Sequence, residues 1–182
     1  MTDFNVRKVA FSAVIAALYA VLTIVLMPLS YGAVQIRFSE VLCILPFFFP
    51  FSVWGLFVGC IVANIFSPYP LDLVVGPIAS LLAGLGTMYI GRLNIRDKTS
   101  TKALACFPPV FFNAVLIGAM IAYIMISEGA TESFWITFLA SGLFVALGQS
   151  IVMFVLGLPL MVYLPRTKII DKLNDLYEKG EK

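Results

Sequence analysis

The chain contains no histidine, which removes the commonest general base and any His-ligated metal from the chemistry open to it. Its three cysteines, Cys43, Cys60 and Cys106, show no paired metal-ligand spacing, and each lies in or beside an apolar run, where cysteine acts as a small hydrophobe. Charge is scarce, with Asp, Glu, Lys and Arg together making up 12% of 182 residues. A nucleotide-binding phosphate loop is missing as well. Its nearest approach, GTMYIGRL from Gly86 to Leu93, has the glycine spacing but carries Arg92 and Leu93 where Lys and Ser/Thr belong, and it falls in an apolar helix. ATP-driven work would therefore need the nucleotide on another chain. With no metal ligands and no nucleophile–base pair, an intramembrane enzyme is not expected.

What is abundant is apolar surface, at 61% of residues, more than the interior of a soluble domain of this length can hide. Four apolar runs, Val9 to Pro28, Leu73 to Ile90, Leu104 to Ile126 and Phe134 to Tyr163, are each long enough as a helix to cross ~30 Å of hydrocarbon. The fold class is an all-α integral membrane protein. The first run leads into Pro28 and Tyr31 without a small-x-small cleavage site, so it is expected to stay as the first helix.

The run from Glu40 to Phe66 reads either as one Pro-kinked helix or as two short helices turning near Phe49, Pro50, Phe51 and Ser52. Basic residues decide between them, because short cytoplasmic loops collect Lys and Arg. Two helices bring the total to six and put Arg7 and Lys8, then Arg92, Arg96, Lys98 and Lys102, then Arg166, Lys168 and Lys172 on one side of the membrane. The expectation is six transmembrane helices with cytoplasmic N- and C-termini. Residues 1–167 form one transmembrane domain and 168–182 a short amphipathic tail, with Ile169, Ile170, Leu173, Leu176 and Tyr177 at helical spacing. At about 12 to 14 residues, helices two and three are too short to span alone, and short Pro-interrupted segments are a pointer to a binding site.

Polar residues at membrane depth are costly and mark pathways, pockets or helix contacts. On the six-helix map Glu40 opens helix two, Asn64 closes helix three, Asp72 opens helix four and Glu128 follows helix five, all near the outer surface, with Arg37 the basic residue among them. Asn113 and Gln149 lie roughly 20 Å deeper at ~1.5 Å per residue. Together they could line an outward pocket with an acidic rim and two amides at its floor. Each has a plainer reading too. Glu40 and Asp72 sit where a carboxylate caps a helix, Arg37 and Glu40 could pair across three residues, Asn113 and Gln149 could be interhelical glue, and Glu128 and Glu132 could be solvated loop charges. Carboxylates and amides with one Arg suit a neutral or cationic ligand rich in N–H donors, not a phosphorylated one. Tyr31, Phe38 and Tyr69 could stack on a planar ring; Trp135 reads better as an interface anchor.

Helix one carries a stripe of small residues, Ala10, Ala13, Ala17 and Ala20, with Ala16 beside it, and Gly55 and Gly59 repeat the pattern on helix three. Such stripes let another helix approach closely, within the chain or from a partner.

The Ala-xxx-Ala stripe, six helices in about 180 residues and no ATP-binding motif resemble the substrate-binding S component of an energy-coupling factor (ECF) transporter. More narrowly, SYGAVQIRFSEVLCILPFFFP, GLFVGCIVANIFS and GQSIVMFVLGLPL are similar to the QueT group, assigned to precursors of the tRNA base queuosine; the likeness runs from Arg7 to about Pro165. The resemblance implies a non-enzymatic, multi-pass subunit of a bacterial cytoplasmic membrane, with no cofactor and no nucleic acid of its own. It implies capture of 7-aminomethyl-7-deazaguanine or its 7-cyano relative from outside. It also implies docking through Ala13, Ala16, Ala17 and Ala20 on a coupling subunit that carries two ATPases. Other functions consistent with the residues are an S component for another small non-phosphorylated vitamin and a stand-alone secondary carrier. Against the carrier stands the want of an acid in the central third of any helix.

Overall fold

In a computed structural model the described residues are 6–30, 36–93, 98–130 and 133–178. Tyr31, Arg96, Glu132 and the last four residues lie outside them, as do the side chains of Leu176 and Tyr177. Among the described residues the structure is helical throughout: α1 (Val6–Val25), the short α2 (Met27–Ser30), a 3₁₀ helix (Phe38–Phe47), α3 (Ser52–Asn64), α4 (Asp72–Gly91), α5 (Thr99–Ala105), α6 (Phe107–Ser127), α7 (Phe134–Ser150), a π-helical segment (Ile151–Gly157), α8 (Leu158–Tyr163), a 3₁₀ turn (Leu164–Thr167) and α9 (Ile169–Glu178). Four stretches, Val6–Val25, Asp72–Gly91, Thr99–Ser127 and Phe134–Thr167, are long and apolar enough to cross a membrane, and two shorter apolar helices lie between the first and second. The chain is a multi-pass membrane protein. GTMYIGRL is helical through Gly91 and forms no phosphate loop.

The chain does turn at Phe48–Phe51, as the two-helix reading of Glu40 to Phe66 expects. The first arm differs from expectation in its winding: it is a 3₁₀ helix of 10 residues. At ~2.0 Å per residue, 3₁₀ winding carries those residues roughly 20 Å, against about 15 Å as an α-helix, so the short segment reaches further. Residues three apart eclipse in a 3₁₀ helix. Arg37, Glu40, Cys43 and Pro46 therefore fall in one row, and all four are buried.

Close backbone approach holds the helices together. A Cβ on Gly55 would lie 2.5 Å from the Ser12 carbonyl, and one on Gly59 2.7 Å from that of Ala16. This resolves the glycine pair on α3 as packing against α1 within the chain. Gly118 and Gly142 bring α6 and α7 together in the same way, a Cβ on Gly118 standing 2.7 Å from the Gly142 Cα. Pro109 supplies no N–H to the Ala105 carbonyl one turn back, and the buried Thr87 hydroxyl of α4 donates to that carbonyl at 3.0 Å.

One cluster gathers an end of the bundle. Phe47, Phe48 and Phe49 of the turn, Ala105, Cys106, Met153, Met161 and Ile170 form its core, with Phe11, Ile90 and Leu173 packed against it. The tail helix α9 is thus docked on the bundle through Ile170 and Leu173. At the opposite end of the 3₁₀ helix lie Arg37 and the loop into α4. The outer faces are apolar: Trp135, Ile136, Leu139 and Leu143 on α7 are each more than 60% exposed, as lipid-facing residues are. Inside are buried polar side chains, among them Arg37, Glu40, Asn64, Asp72, Asn113 and Gln149.

Candidate substrate site

Buried polar groups from α1, the 3₁₀ helix, α3 and α4 form a connected network. Its first part is an ion pair. Arg37 Nη2 meets Asp72 Oδ2 at 2.5 Å, with the two side chains 2% and 1% exposed. Ser67 donates to the same carboxylate oxygen at 3.2 Å, and Arg37 Nε points to the Ser30 carbonyl at 3.4 Å. Asn64 Nδ2 donates to the Asp72 carbonyl oxygen at 2.7 Å and lies 3.5 Å from Cys60 Sγ. Gly76 makes this fit possible, since a Cβ there would stand 2.1 Å from Asn64 Nδ2 and 2.7 Å from Asp72 Oδ1. Asp72 Oδ1 itself is buried without a hydrogen-bond partner among the described residues.

The second part centres on Glu40, which is fully buried. Tyr19 of α1 donates its hydroxyl to Glu40 Oε1. Ser80 of α4 donates to the same oxygen at 3.3 Å, and the Cys43 thiol to Oε2 at 3.1 Å. One turn along α1 from Tyr19, the Thr23 hydroxyl bonds that of Ser39 in the 3₁₀ helix at 2.7 Å. Ser30 joins the two parts, its carbonyl facing Arg37 Nε and its hydroxyl donating to the Thr23 carbonyl at 3.2 Å, while Cys60 packs with Tyr19 and Cys43 in one core cluster. Ser80 is eight residues into α4 from Asp72, so the network reaches about 12 Å into the bundle at ~1.5 Å per residue.

Of the residues singled out in the sequence, Arg37, Glu40, Asn64 and Asp72 are brought together here. Their partners differ from the expected ones. Arg37 pairs with Asp72, 35 residues on, where the sequence suggested Glu40, and both charges of that pair stand at the loop end of their helices. Glu40 and Asp72 each stand in the first turn of their helices, as the plainer reading has them, and their carboxylates are drawn into the network as well.

Asn113 and Gln149 are buried at 1% exposure but bond to none of these groups among the described residues. Asn113 Nδ2 donates to the Pro109 carbonyl of its own helix at 2.9 Å, and Gln149 Oε1 is buried without a partner. The Gly118–Gly142 contact fixes the register of α6 and α7 and puts the two amides at similar depth. Glu128 is exposed at the C-cap of α6, as the solvated-loop reading has it. Tyr69 is half-buried against Ile117 and Met120, and Trp135 is 70% exposed.

The sequence reading passed over Tyr19, Ser80, Thr23 and Ser39, and took Cys43 and Cys60 for inert hydrophobes. Tyr19 and Thr23, four apart on the face next to the small-residue stripe, carried a usable signal. The Ala stripe itself divides: Ala20 is buried in a core cluster with Ile15, Tyr19, Leu56 and Cys60, Ala16 is half-buried over Gly59, and Ala13 and Ala17 are exposed.

The family model described as "QueT transporter" matches residues 9–166. This chain belongs to the QueT transporter family. A relative from Lactococcus lactis subsp. cremoris (strain MG1363), named "Queuosine precursor transporter QueT", is 35% identical over 83 residues, which cover 44% of this chain. That match spans about half (49%) of the relative's own length. No solved structure matches. Membership of a transporter family fits a chain that is not an enzyme and that hides its polar groups inside an apolar shell.

Proposed function

We propose that this QueT-family chain is the substrate-capturing S component of an ECF importer. On this reading it has six membrane-crossing segments, counting the 3₁₀ helix and α3, and both termini face the cytoplasm of a bacterial cell membrane. Residues 168–182 lie on the cytoplasmic surface. It takes a queuosine precursor of the 7-deazaguanine type from outside and delivers it through a coupling subunit and two ATPase subunits that hold the ATP.

The observation that carries the ligand assignment is a charge imbalance. Among the described residues two carboxylates, Glu40 and Asp72, share one interior network with a single guanidinium, and none of the three is more than 2% exposed. An uncompensated buried charge is expensive in a medium of low dielectric. The network also holds a spare acceptor in Asp72 Oδ1. A ligand with N–H donors and a protonated amine relieves both, as 7-aminomethyl-7-deazaguanine does: its guanine-like edge offers adjacent donors to one carboxylate and its aminomethyl arm a cation to the other. Arg37, already committed to Asp72, leaves no second cation for a phosphate. Asn64 serves as the positioning amide at this site, and Asn113 and Gln149, with its unpartnered oxygen, are the deeper polar edge; Glu128 contributes from the rim.

Calorimetric titration of the detergent-solubilised protein with 7-aminomethyl-7-deazaguanine, with the 7-cyano analogue, guanine, riboflavin and thiamine alongside, tests this. Selective binding of the aminomethyl compound at micromolar strength or better is expected. Equal binding of the cyano compound would remove the charge argument and keep the ring assignment. No binding of either by folded protein overturns the ligand.

A further inference from the structure

A second feature of the molecule lies away from the buried network. An open groove of about 790 Å³ lies along the last long span, lined by Val155, Leu156, Leu160, Tyr163 and Arg166 of that span and by Thr99 of α5. Its origin is local. The π-helical winding of Ile151–Gly157 interrupts the regular α-helical surface, and Pro159 then supplies no N–H to the Val155 carbonyl one turn back.

The groove has the dimensions and polarity of half a bilayer. From Val155 to Arg166 is eleven residues, or roughly 16 Å of helix, which is about half of a ~30 Å hydrocarbon core. Its walls are aliphatic along that depth, and its one lining charge stands where the apolar span Phe134–Thr167 ends. Beside the lining Arg166 and Thr99, the exposed Lys168 lies two residues on from Arg166 and the exposed Lys98 directly precedes Thr99, so the chain at that end carries basic residues. A guanidinium recognises a phosphate bidentately, and basic residues at a membrane boundary select anionic headgroups.

We propose that this groove is a binding site for one anionic phospholipid, with an acyl chain lying along Val155, Leu156 and Leu160 and the headgroup phosphate held by Arg166 with the Tyr163 and Thr99 hydroxyls at the rim. Lipid is the occupant because the apolar walls continue one leaflet deep below the charge; a soluble phosphate has no use for them.

The test is native mass spectrometry of the full chain released from detergent micelles with phosphatidylglycerol or with phosphatidylcholine of the same acyl chains. Retention of phosphatidylglycerol about tenfold over phosphatidylcholine is expected. Arg166→Gln should bring the ratio close to one, and Leu156→Trp, which fills the groove, should lower retention of both lipids. Equal retention in the unsubstituted protein, or a preference that survives Arg166→Gln, overturns the headgroup contact. Competition by glycerol 1-phosphate as effective as that of the lipid overturns the acyl-chain contact and leaves a simple phosphate site. A photocrosslinker at position 160 in cell membranes should capture phospholipid; capture of another polypeptide without lipid overturns the proposal in favour of a protein docking face.

Discussion

At the scale of the residue, the interior of this protein is organised by charges that have little water near them. Arg37 and Asp72 form a pair with both partners buried, so each depends on the other. Asp72→Asn removes the counter-charge while leaving the guanidinium in place, and is expected to destabilise the folded protein by about 3 to 5 kcal/mol. Thermal unfolding in detergent measures this, and Arg37→Met combined with Asp72→Leu should recover part of the loss. Glu40 is held by donors from three other positions, Tyr19, Cys43 and Ser80, so its geometry is set before any ligand arrives. Glu40→Gln should weaken ligand binding by about 1.5 to 3 kcal/mol, the worth of a charge-assisted hydrogen bond, with a smaller effect on unfolding. Unchanged affinity with reduced stability would reduce Glu40 to a structural tie between α1 and α4. Single residues were readable in the sequence as candidates because Arg, Glu and Asp are costly in an apolar run. Their partners were not readable, since Arg37 and Asp72 are neighbours only once the 3₁₀ helix and α4 lie side by side.

At the scale of the element, two departures from α-helical winding do most to shape the molecule. The 3₁₀ helix stretches a short segment and puts Arg37, Glu40 and Cys43 in one inward row; the π segment opens the outer groove. The number and limits of the long helices were legible from apolar runs, because a membrane span needs about 20 residues of one character. The winding was not legible, since 3₁₀, α and π helices differ by one residue in hydrogen-bond register and share one composition. Gly55 and Gly59 likewise read as a small-residue pattern without an address. The structure gives the address as α1, and Gly59→Ala, whose Cβ would stand 2.7 Å from the Ala16 carbonyl, should cost about 1 to 3 kcal/mol in unfolding stability. A stability unchanged by that substitution would mean that the α1–α3 contact can relax.

At the scale of the whole molecule, a largely apolar outer surface encloses the buried polar network, so a ligand bound within that network would add to stability. Under the proposed function, 7-aminomethyl-7-deazaguanine at about 100 times its Kd should raise stability by about 2.7 kcal/mol, seen as a higher Tm that guanine at the same concentration does not reproduce. The same proposal assigns docking on a coupling subunit to the exposed part of the Ala stripe, Ala13 and Ala17. Ala13→Trp and Ala17→Trp are expected to leave ligand binding by the isolated chain intact and to abolish uptake by cells expressing the full transporter; uptake at the unsubstituted rate would move the interface elsewhere. Ala20 was grouped with these two from spacing alone and proves to be an interior residue, since one helix face can serve an internal and an external neighbour along its length. The sequence by itself determined that the chain is helical, that it crosses a membrane several times, and which few polar residues had to be accounted for. All three follow from the energetics of transferring residues, one by one, between water and hydrocarbon. Only the tertiary structure decided which charge meets which and that Tyr19 and Ser80 belong with Glu40, because a hydrogen bond depends on position to within a fraction of an ångström and that position comes from how separate helices pack.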